Sequence, residues 1–481
     1  MGATNRCTPS TSTPNSRPLG SALTEPTDLP PSDAEVASAQ SRLEQQGVHT
    51  LLVQFTDVHG VAKGKYVPLS YLGELLRTGA GFAGPSIWGT ALPRVGARAE
   101  YYARPISLET IRPMPWQPGY ALATSHGYVN GQPFEACPRQ VLRRATARLA
   151  ERGWTLKTGI EPEFFLLKQQ DGQWLPFDDA DRLDKPSYDL KSLPRQAPLL
   201  HELQQAMTAM GLEVFQLDHE DAHGQYEVNF AYDECLASAD KLMCFKQAAH
   251  AIAERHGAVF SMMPKPFANQ PGSGLHFHVS LWDAQGRGLF TPSDEEAQRG
   301  EDLSAVGRHF IAGVMAHSAA LCAVAASTVN SYKRLVVGES LSGTSWAPAY
   351  VAHGPNNRTA IVRTLPGRFE WRLPDASANP YLATAALIAA GMDGVDRQLD
   401  PGPACTDDLF KLSLAEIAQR AIEVLPQSLE EATSALEADP VILEALGDTL
   451  RSEYPRLKRA EWLSYARHIS AWEMQRYAAA F

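Results

Sequence analysis

Gly272-Ser273-Gly274-Leu275-His276-Phe277-His278-Val279-Ser280-Leu281 alternates strictly. Leu275, Phe277, Val279 and Leu281 fall on one face of an extended chain, and His276, His278 and Ser280 fall on the other. A strand with so apolar a face needs a core beneath it, which leaves two imidazoles side by side on the opposite face. Three more segments repeat the pattern with charge. Thr155-Leu-Lys-Thr-Gly-Ile-Glu-Pro-Glu-Phe-Phe-Leu-Leu-Lys168 places Glu161 and Glu163 on one face. Gly224-Gln-Tyr-Glu-Val-Asn-Phe230 sets Glu227 and Asn229 against Tyr226, Val228 and Phe230, and Gly367-Arg-Phe-Glu-Trp-Arg-Leu-Pro374 gathers Arg368, Glu370 and Arg372. Any one of these reads as a solvated face with neutralising pairs. Together they read differently, because carboxylates adjacent on one face repel each other. A hard divalent cation explains the carboxylates with an imidazole, and the interleaved arginines, with Arg358 and Arg363 nearby, call for an anion. Metal positions, arginines and Gly-rich loops together suggest phosphoryl transfer from a metal-bound nucleotide.

The 481 residues allow two or three domains and a large core. With 43 Lys+Arg against 54 Asp+Glu, the net charge of -11 disfavours a broad grip on nucleic acid or on an anionic membrane. No run approaches the ~18 consecutive apolar residues of a membrane span. The six cysteines lack a Cys-x-x-Cys pair and read as reduced thiols in a cytoplasmic protein.

Residues 1–31, rich in Ser, Thr and Pro, read as a disordered tail. Ser32-Asp33-Ala34-Glu35 is a capping box that opens a helix stopping at Gly47, and the run from His49 to Ser70 reads as a hairpin. A small α+β domain over 32–133 is expected, followed by a catalytic body over 134–481 that opens with a helix near Pro138 and is mostly helical after Leu412. Gly79-Ala-Gly-Phe-Ala-Gly84 matches a dinucleotide-binding pattern but follows a helical run and precedes Pro85. It is therefore expected to be a glycine-rich loop rather than a nucleotide site.

Seven runs occur in one order: Gly-Ile-Glu-Pro-Glu-Phe-Phe (159–165), His-Glu-Asp-Ala-His-Gly-Gln-Tyr-Glu-Val-Asn-Phe (219–230), Met-Pro-Lys-Pro (263–266), the 272–281 strand, Asn-Ser-Tyr-Lys-Arg-Leu (330–335), Asn-Arg-Thr-Ala-Ile-Val-Arg (357–363) and Glu-Trp-Arg-Leu-Pro-Asp-Ala-Ser-Ala-Asn-Pro-Tyr-Leu-Ala (370–383). As a set they resemble the glutamine synthetase family. The resemblance implies an α+β fold, with a small β-grasp-like N-terminal domain and a catalytic domain whose curved antiparallel sheet walls a funnel. It implies an ATP-dependent ligase that phosphorylates the glutamate γ-carboxylate and lets an amine displace phosphate. It also implies two or more Mg²⁺ or Mn²⁺ ions and a homo-oligomer of stacked hexameric rings, each site completed by a neighbour's N-terminal domain.

Carried over position by position, Glu163, Glu220 and Glu227 resemble the ligands of the metal near glutamate, and Glu161, His276 and Glu370 those of the metal near the nucleotide. His278, Ser280 and Arg368 resemble nucleotide contacts. Arg334 and Arg372 resemble the glutamate clamp with Gly272 as a backbone contact, and Arg358 and Arg363 neutralise phosphate. Glu339 falls near, not on, the glutamate of the closing loop. Pro271 replaces an asparagine. Ala83, with Ser86 in the amine site, stands where the classical enzyme has the aspartate that binds ammonium. Without that carboxylate, and with Phe82, Ile87 and Trp88 close by, the loop suits an organic amine better than ammonium. This resembles the third-type branch, which includes γ-glutamylmethylamide, isopropylamide and anilide synthetases. The alternatives are an ammonia-using glutamine synthetase and an inactive structural relative, the latter opposed by the complete set of six expected metal ligands.

Overall fold

A computed structural model describes residues 31–338 and 346–481. All of the expected tail except residue 31 lies outside the described residues. The first helix, Asp33–Gln45, starts at the predicted capping box: Ser32 accepts from the backbone of Glu35, whose side chain returns to the Ser32 N–H. Seven strands follow: β1 Thr50–Thr56, β2 Ala62–Pro68, β3 Ala80–Ala83, β4 Glu100–Pro105, β5 Arg112–Pro113, β6 Tyr120–Val129 and β7 Gln132–Pro133. They form one sheet in the order β2-β1-β6-β4-β3, with β5 and β7 attached to β6. β1 and β2 make the expected hairpin, Thr50 opposite Pro68 through Thr56 opposite Ala62. The glycine-rich stretch expected to be a loop is instead β3, which pairs with β4 from Ala80–Ala103 to Ala83–Glu100 and then passes into a single 3₁₀ turn, Gly84–Ser86. A partner distant in sequence overrode its glycines.

The large sheet holds β8 Trp154–Gln170, β9 Gln173–Pro176, β10 Val214–His219, β11 Gln225–Phe230, β12 Asp233–Glu234, β13 Val259–Ser261, β14 Leu275–Asp283, β15 Tyr350–Pro355, β16 Ala360–Leu365, β17 Arg368–Trp371 and β18 Glu423–Val424. Its order is β10-β11-β8-β14-β17-β16-β15-β18, antiparallel except for the β15–β16 pair. β18 interrupts the mostly helical stretch expected after Leu412. The apolar face of β14 is buried as its alternation demands, with Leu275, Phe277, Val279 and Leu281 at most 1% exposed. Phe277 meets Trp371 of β17 at 5.9 Å between ring centroids, and Phe164 meets Phe260 at 5.1 Å. Each such aromatic contributes about 1.5–3 kcal/mol by burial, so the apolar faces hold the sheet in place while its other face is left to polar groups.

Helices back the sheet. Gly313 of Ala305–Ala316 and Gly394 of Pro380–Arg397 sit at a close backbone crossing, where a Cβ on Gly313 would stand 2.1 Å from the Ala390 carbonyl oxygen. The small sheet is pinned to the body through Asn379, whose amide donates to the Asp57 carbonyl at 2.9 Å while its oxygen caps the helix Pro380–Arg397. The five described cysteines are free. No single described helix is long and apolar enough to cross a membrane; the pair Ala305–Ala316 and Ser318–Ala325 passes only jointly, and it is bent by 74°.

Candidate active site

Strand register assembles the polar face. Glu163 on β8 lies opposite Glu227 on β11, and Glu227 lies opposite Asp218 on β10. On the other edge of β8, Glu161 faces His276 on β14; His278 then faces Glu370 on β17, and Glu370 faces Arg363 on β16. The four charged strands thus become neighbours in one sheet, with their polar residues on one face.

Five of the six expected metal ligands fall into close groups, though not as two separate triads, and the sixth, Glu163, has Oε1 3.9 Å from His276 Nδ1. Ligand atoms of Glu161, Glu227 and His276 lie within 4.8 Å of one another, as do those of Asp218, Glu220 and Glu227, and those of Glu161, His278 and Glu370. Asp218 therefore joins the cluster although the strand patterns do not single it out; its spacing of two from Glu220 is the signal that sequence offers for it. His278, expected as a nucleotide contact, has Nε2 3.1 Å from Glu161 Oε1 and accepts from Arg368 Nε at 3.4 Å. Ser280, next along the same face, accepts from the Trp282 indole at 2.9 Å.

Electrostatics show what this face lacks. Burial, reinforced by the neighbouring carboxylates, pushes Glu220 and Glu227 well above the ordinary carboxylate range. Burial takes Glu163 to about 7, against the pull of the Gly274 N–H, Arg334 and Arg372. Asn229 softens the repulsion by donating to Glu161 at 3.2 Å and to Glu227 at 3.0 Å. Buried oxygens remain without a partner, Asp218 Oδ1 and Asn229 Oδ1 among them. Clustered carboxylates with orphaned oxygens are the donor set of a hard divalent cation, so the residues fit Mg²⁺ or Mn²⁺. Glu370 behaves oppositely: burial would raise it, but Arg372, His276, His278 and Arg363 outweigh burial and hold it at about 2. It accepts from Arg363 Nη1 at 2.7 Å and from Arg372 Nη1.

Beside the carboxylates opens a cavity lined by Glu163, Glu220, Gly272, His276, Arg334 and Arg372, the expected glutamate set together with metal ligands. Arg334 and Arg372 are buried, and Arg372 is further held by donating from Nε to the Arg358 carbonyl at 3.1 Å. Asp221, Gln225, Lys265 and Trp346 also line the cavity, and sequence patterning does not mark them. Gln225 holds Glu163 in place, donating to Oε2 at 3.2 Å and to the Gly272 carbonyl at 3.2 Å. Burial, with Arg334 alongside, lowers Lys265 to about 8. Its position in Met-Pro-Lys-Pro is the signal that could have found it. Pro271 also lines the cavity. Arg358 and Arg368 are exposed, Arg363 half-buried. Ala83 and Ser86 are exposed on the small sheet and do not line this cavity. Glu339 lies outside the described residues.

Comparisons with known proteins agree. The glutamine synthetase catalytic domain matches residues 135–477. The glutamate–methylamine ligase of Methyloversatilis universalis is 46% identical over 446 residues, covering 92% of this chain and 99% of that protein. A glutamine synthetase of Rhizobium meliloti is 39% identical, covering 90% of this chain and 97% of its own. A solved GmaS/ADP complex superposes with a TM-score of 0.84 at 38% identity, covering 92% of this chain and 99% of the other. Carboxylates and arginines gathered on one curved sheet, and a match that spans nearly the whole chain, place this protein in the glutamine synthetase family of ATP-dependent ligases.

Proposed function

We propose that the enzyme joins the γ-carboxylate of glutamate to a small organic amine of the methylamine type, through γ-glutamyl phosphate, with ATP as phosphoryl donor. The observation that carries this reading is the cavity itself, lined by the carboxylates Glu163 and Glu220 together with the guanidinium groups Arg334 and Arg372. Arg334 and Arg372, with the Gly272 backbone, hold glutamate's carboxylate by charge-assisted hydrogen bonds. By resemblance, Glu163, Glu220 and Glu227 would hold one divalent ion and Glu161, His276 and Glu370 another, sharing the overlapping cluster around Glu161 and Glu227; Mg²⁺ or Mn²⁺ there would supply charge neutralisation. His278, Ser280 and Arg368 orient the nucleotide. Arg358 and Arg363 balance the charge that develops during transfer, and the role of the family's closing-loop glutamate would fall to Glu339.

By the family resemblance Ala83 and Ser86 belong to the amine site of an adjacent subunit, with which their exposure and their absence from this chain's cavity lining are compatible. The family resemblance implies a homo-oligomer of stacked hexameric rings, which mass photometry tests. Its free cysteines suit the reducing cytoplasm. The 46% identity to a glutamate–methylamine ligase supports the organic amine, while the 39% identity to a glutamine synthetase supports ammonia as a second reading. The deciding experiment is ADP release with glutamate, Mg²⁺ and a panel of ammonia, methylamine, isopropylamine and aniline, with the products identified by mass spectrometry. An organic amine is expected to give the highest kcat/KM. Ammonia winning by tenfold or more rejects the organic amine, and no turnover with any amine rejects the ligase.

A further inference from the structure

Glu220 differs from its companions in where the fold puts it. Glu163 and Glu227 are fixed by strand pairing, but β10 ends at His219 and β11 begins at Gln225, so Glu220 rides on the turn between them. A turn residue among repelling carboxylates needs a brace of its own. Behind it lies a hydrogen-bonded pair outside the ligand set. His219 Nε2 is 2.7 Å from Asp181 Oδ2, its Nδ1 is 2.8 Å from the Glu220 carbonyl oxygen, and both side chains are fully buried. Both ring nitrogens thus meet acceptors, so the imidazole is tethered at both ends. Asp181 Oδ2 also accepts the Gly224 N–H at 2.7 Å, and its Oδ1 accepts from Ser192 Oγ at 3.1 Å.

The pair therefore ties together the residue that opens the turn, the residue that closes it and the irregular segment around 178–192. Gly224 admits no side chain without strain. Its φ is +72°, and a Cβ there would stand 2.9 Å from the Leu166 carbonyl oxygen. Apolar burial does little for the segment, because Leu183, Tyr188 and Leu190 are 43%, 68% and 79% exposed. Polar ties dominate instead, including Tyr188 N–H to the His219 carbonyl at 2.9 Å.

We propose that Asp181 and His219 are positioning residues: their buried hydrogen-bonded contact holds Glu220 at the spacing a divalent cation requires and so sets the affinity of the glutamate-side metal position. Neither lines the cavity, so they act through Glu220. The inference rests on the reading of Glu163, Glu220 and Glu227 as ligands.

The test is calorimetric titration of Mn²⁺ into the full-length wild-type, Asp181→Asn and His219→Gln proteins, with ligase kinetics at varied Mn²⁺. Partners that orient metal ligands typically matter by 10–100-fold in affinity. One Mn²⁺ per chain should weaken tenfold or more in both variants, while the remaining Mn²⁺ and ADP bind within twofold of wild type. The KM for Mn²⁺ should rise by the same factor, and saturating Mn²⁺ should restore kcat. Unchanged Mn²⁺ affinity in a folded variant overturns the proposal, as does a fall in kcat that Mn²⁺ does not rescue. If either variant fails to fold, Ser192→Ala removes the hydroxyl that Asp181 Oδ1 shares with Asp189 Oδ2 and should weaken the same Mn²⁺ about two- to fivefold; no change there is equally fatal. A wild-type protein that takes up no Mn²⁺ overturns the metal reading, and this one with it, whereas normal wild-type uptake with unaltered variants overturns this one alone.

Discussion

Glu370 is 1% exposed and answers two arginines at once, so its charge cannot be removed without leaving cations stranded. Deleting one partner of a buried ion pair costs about 3–5 kcal/mol, so Glu370→Ala confounds folding with catalysis. Glu370→Gln keeps the volume and half the acceptors. It should lower ATP turnover by about a hundredfold or more while circular dichroism stays unchanged, and His276→Ala should do the same; unaltered turnover in either removes that residue from the metal set. Ala83 gives the converse test. Ala83→Asp adds the carboxylate that ammonium lacks and should raise kcat/KM for ammonia relative to methylamine by about tenfold. An unmoved ratio means that position 83 does not choose the amine. Period-two alternation alone makes Glu161, Glu163, His276 and Glu370 legible in the chain. Asp218 is hidden because its strand, Val-Phe-Gln-Leu-Asp-His, leaves Phe215 exposed and lacks a clean apolar face.

Among the elements, the entry to β14 has little room for change. A Cβ on Gly274, just before it, would stand 2.6 Å from His276 Nε2 and 3.1 Å from Glu163 Oε1, so even Ala intrudes among the ligands. Gly274→Ala should cut kcat/KM about a hundredfold, since such sites tolerate only sub-ångström misplacement, and thermal melting should move little. A large loss of Tm with full residual activity would contradict this. The crossing of the helices Ala305–Ala316 and Pro380–Arg397 shows the opposite profile. Gly394→Ala puts a Cβ 2.1 Å from the His309 carbonyl oxygen and should destabilise by about 1–3 kcal/mol in denaturant melts. Helix starts and the first hairpin are readable in the sequence because caps and turns are local chemistry. β3 is not, because its identity comes from pairing with β4.

At the scale of the whole molecule, His317 joins three helices. Its Nδ1 is 2.6 Å from Asp439 Oδ2 and its Nε2 is 3.0 Å from Asp393 Oδ2, at the bend after Ala305–Ala316. Burial alone would lower its pKa, but hydrogen bonds to Asp439 and Asp393 outweigh burial and raise it above 6.5. Its stabilising contribution is thus complete below 6.5 and lost as pH rises through the raised folded-state value. Asp439 is lowered from 3.8, burial being overcome by His317 and backbone donors, so its contribution is present above 3.8 and lost only as pH falls through the lowered folded-state value. Wild-type Tm should therefore decline from pH 6 to pH 9, and His317→Gln should be less stable at pH 6 with a flatter profile. Parallel profiles would rule out this junction as the titrating element.

Sequence alone determined which face of each strand is polar and which residue types lie there, because alternation is a property of a single extended chain. From those residues came the hard-metal chemistry, the anion-binding arginines and, through their order, the family. Only the tertiary structure decided which polar faces meet: Glu163 with Glu227, Glu161 with His276, His278 with Glu370. Strand register is set by packing and turn geometry between segments far apart in the chain, and a slip of one residue would turn each carboxylate into the core. The brace of Asp181 on His219 is of the same kind, a contact between an irregular segment and a strand end that no local pattern announces.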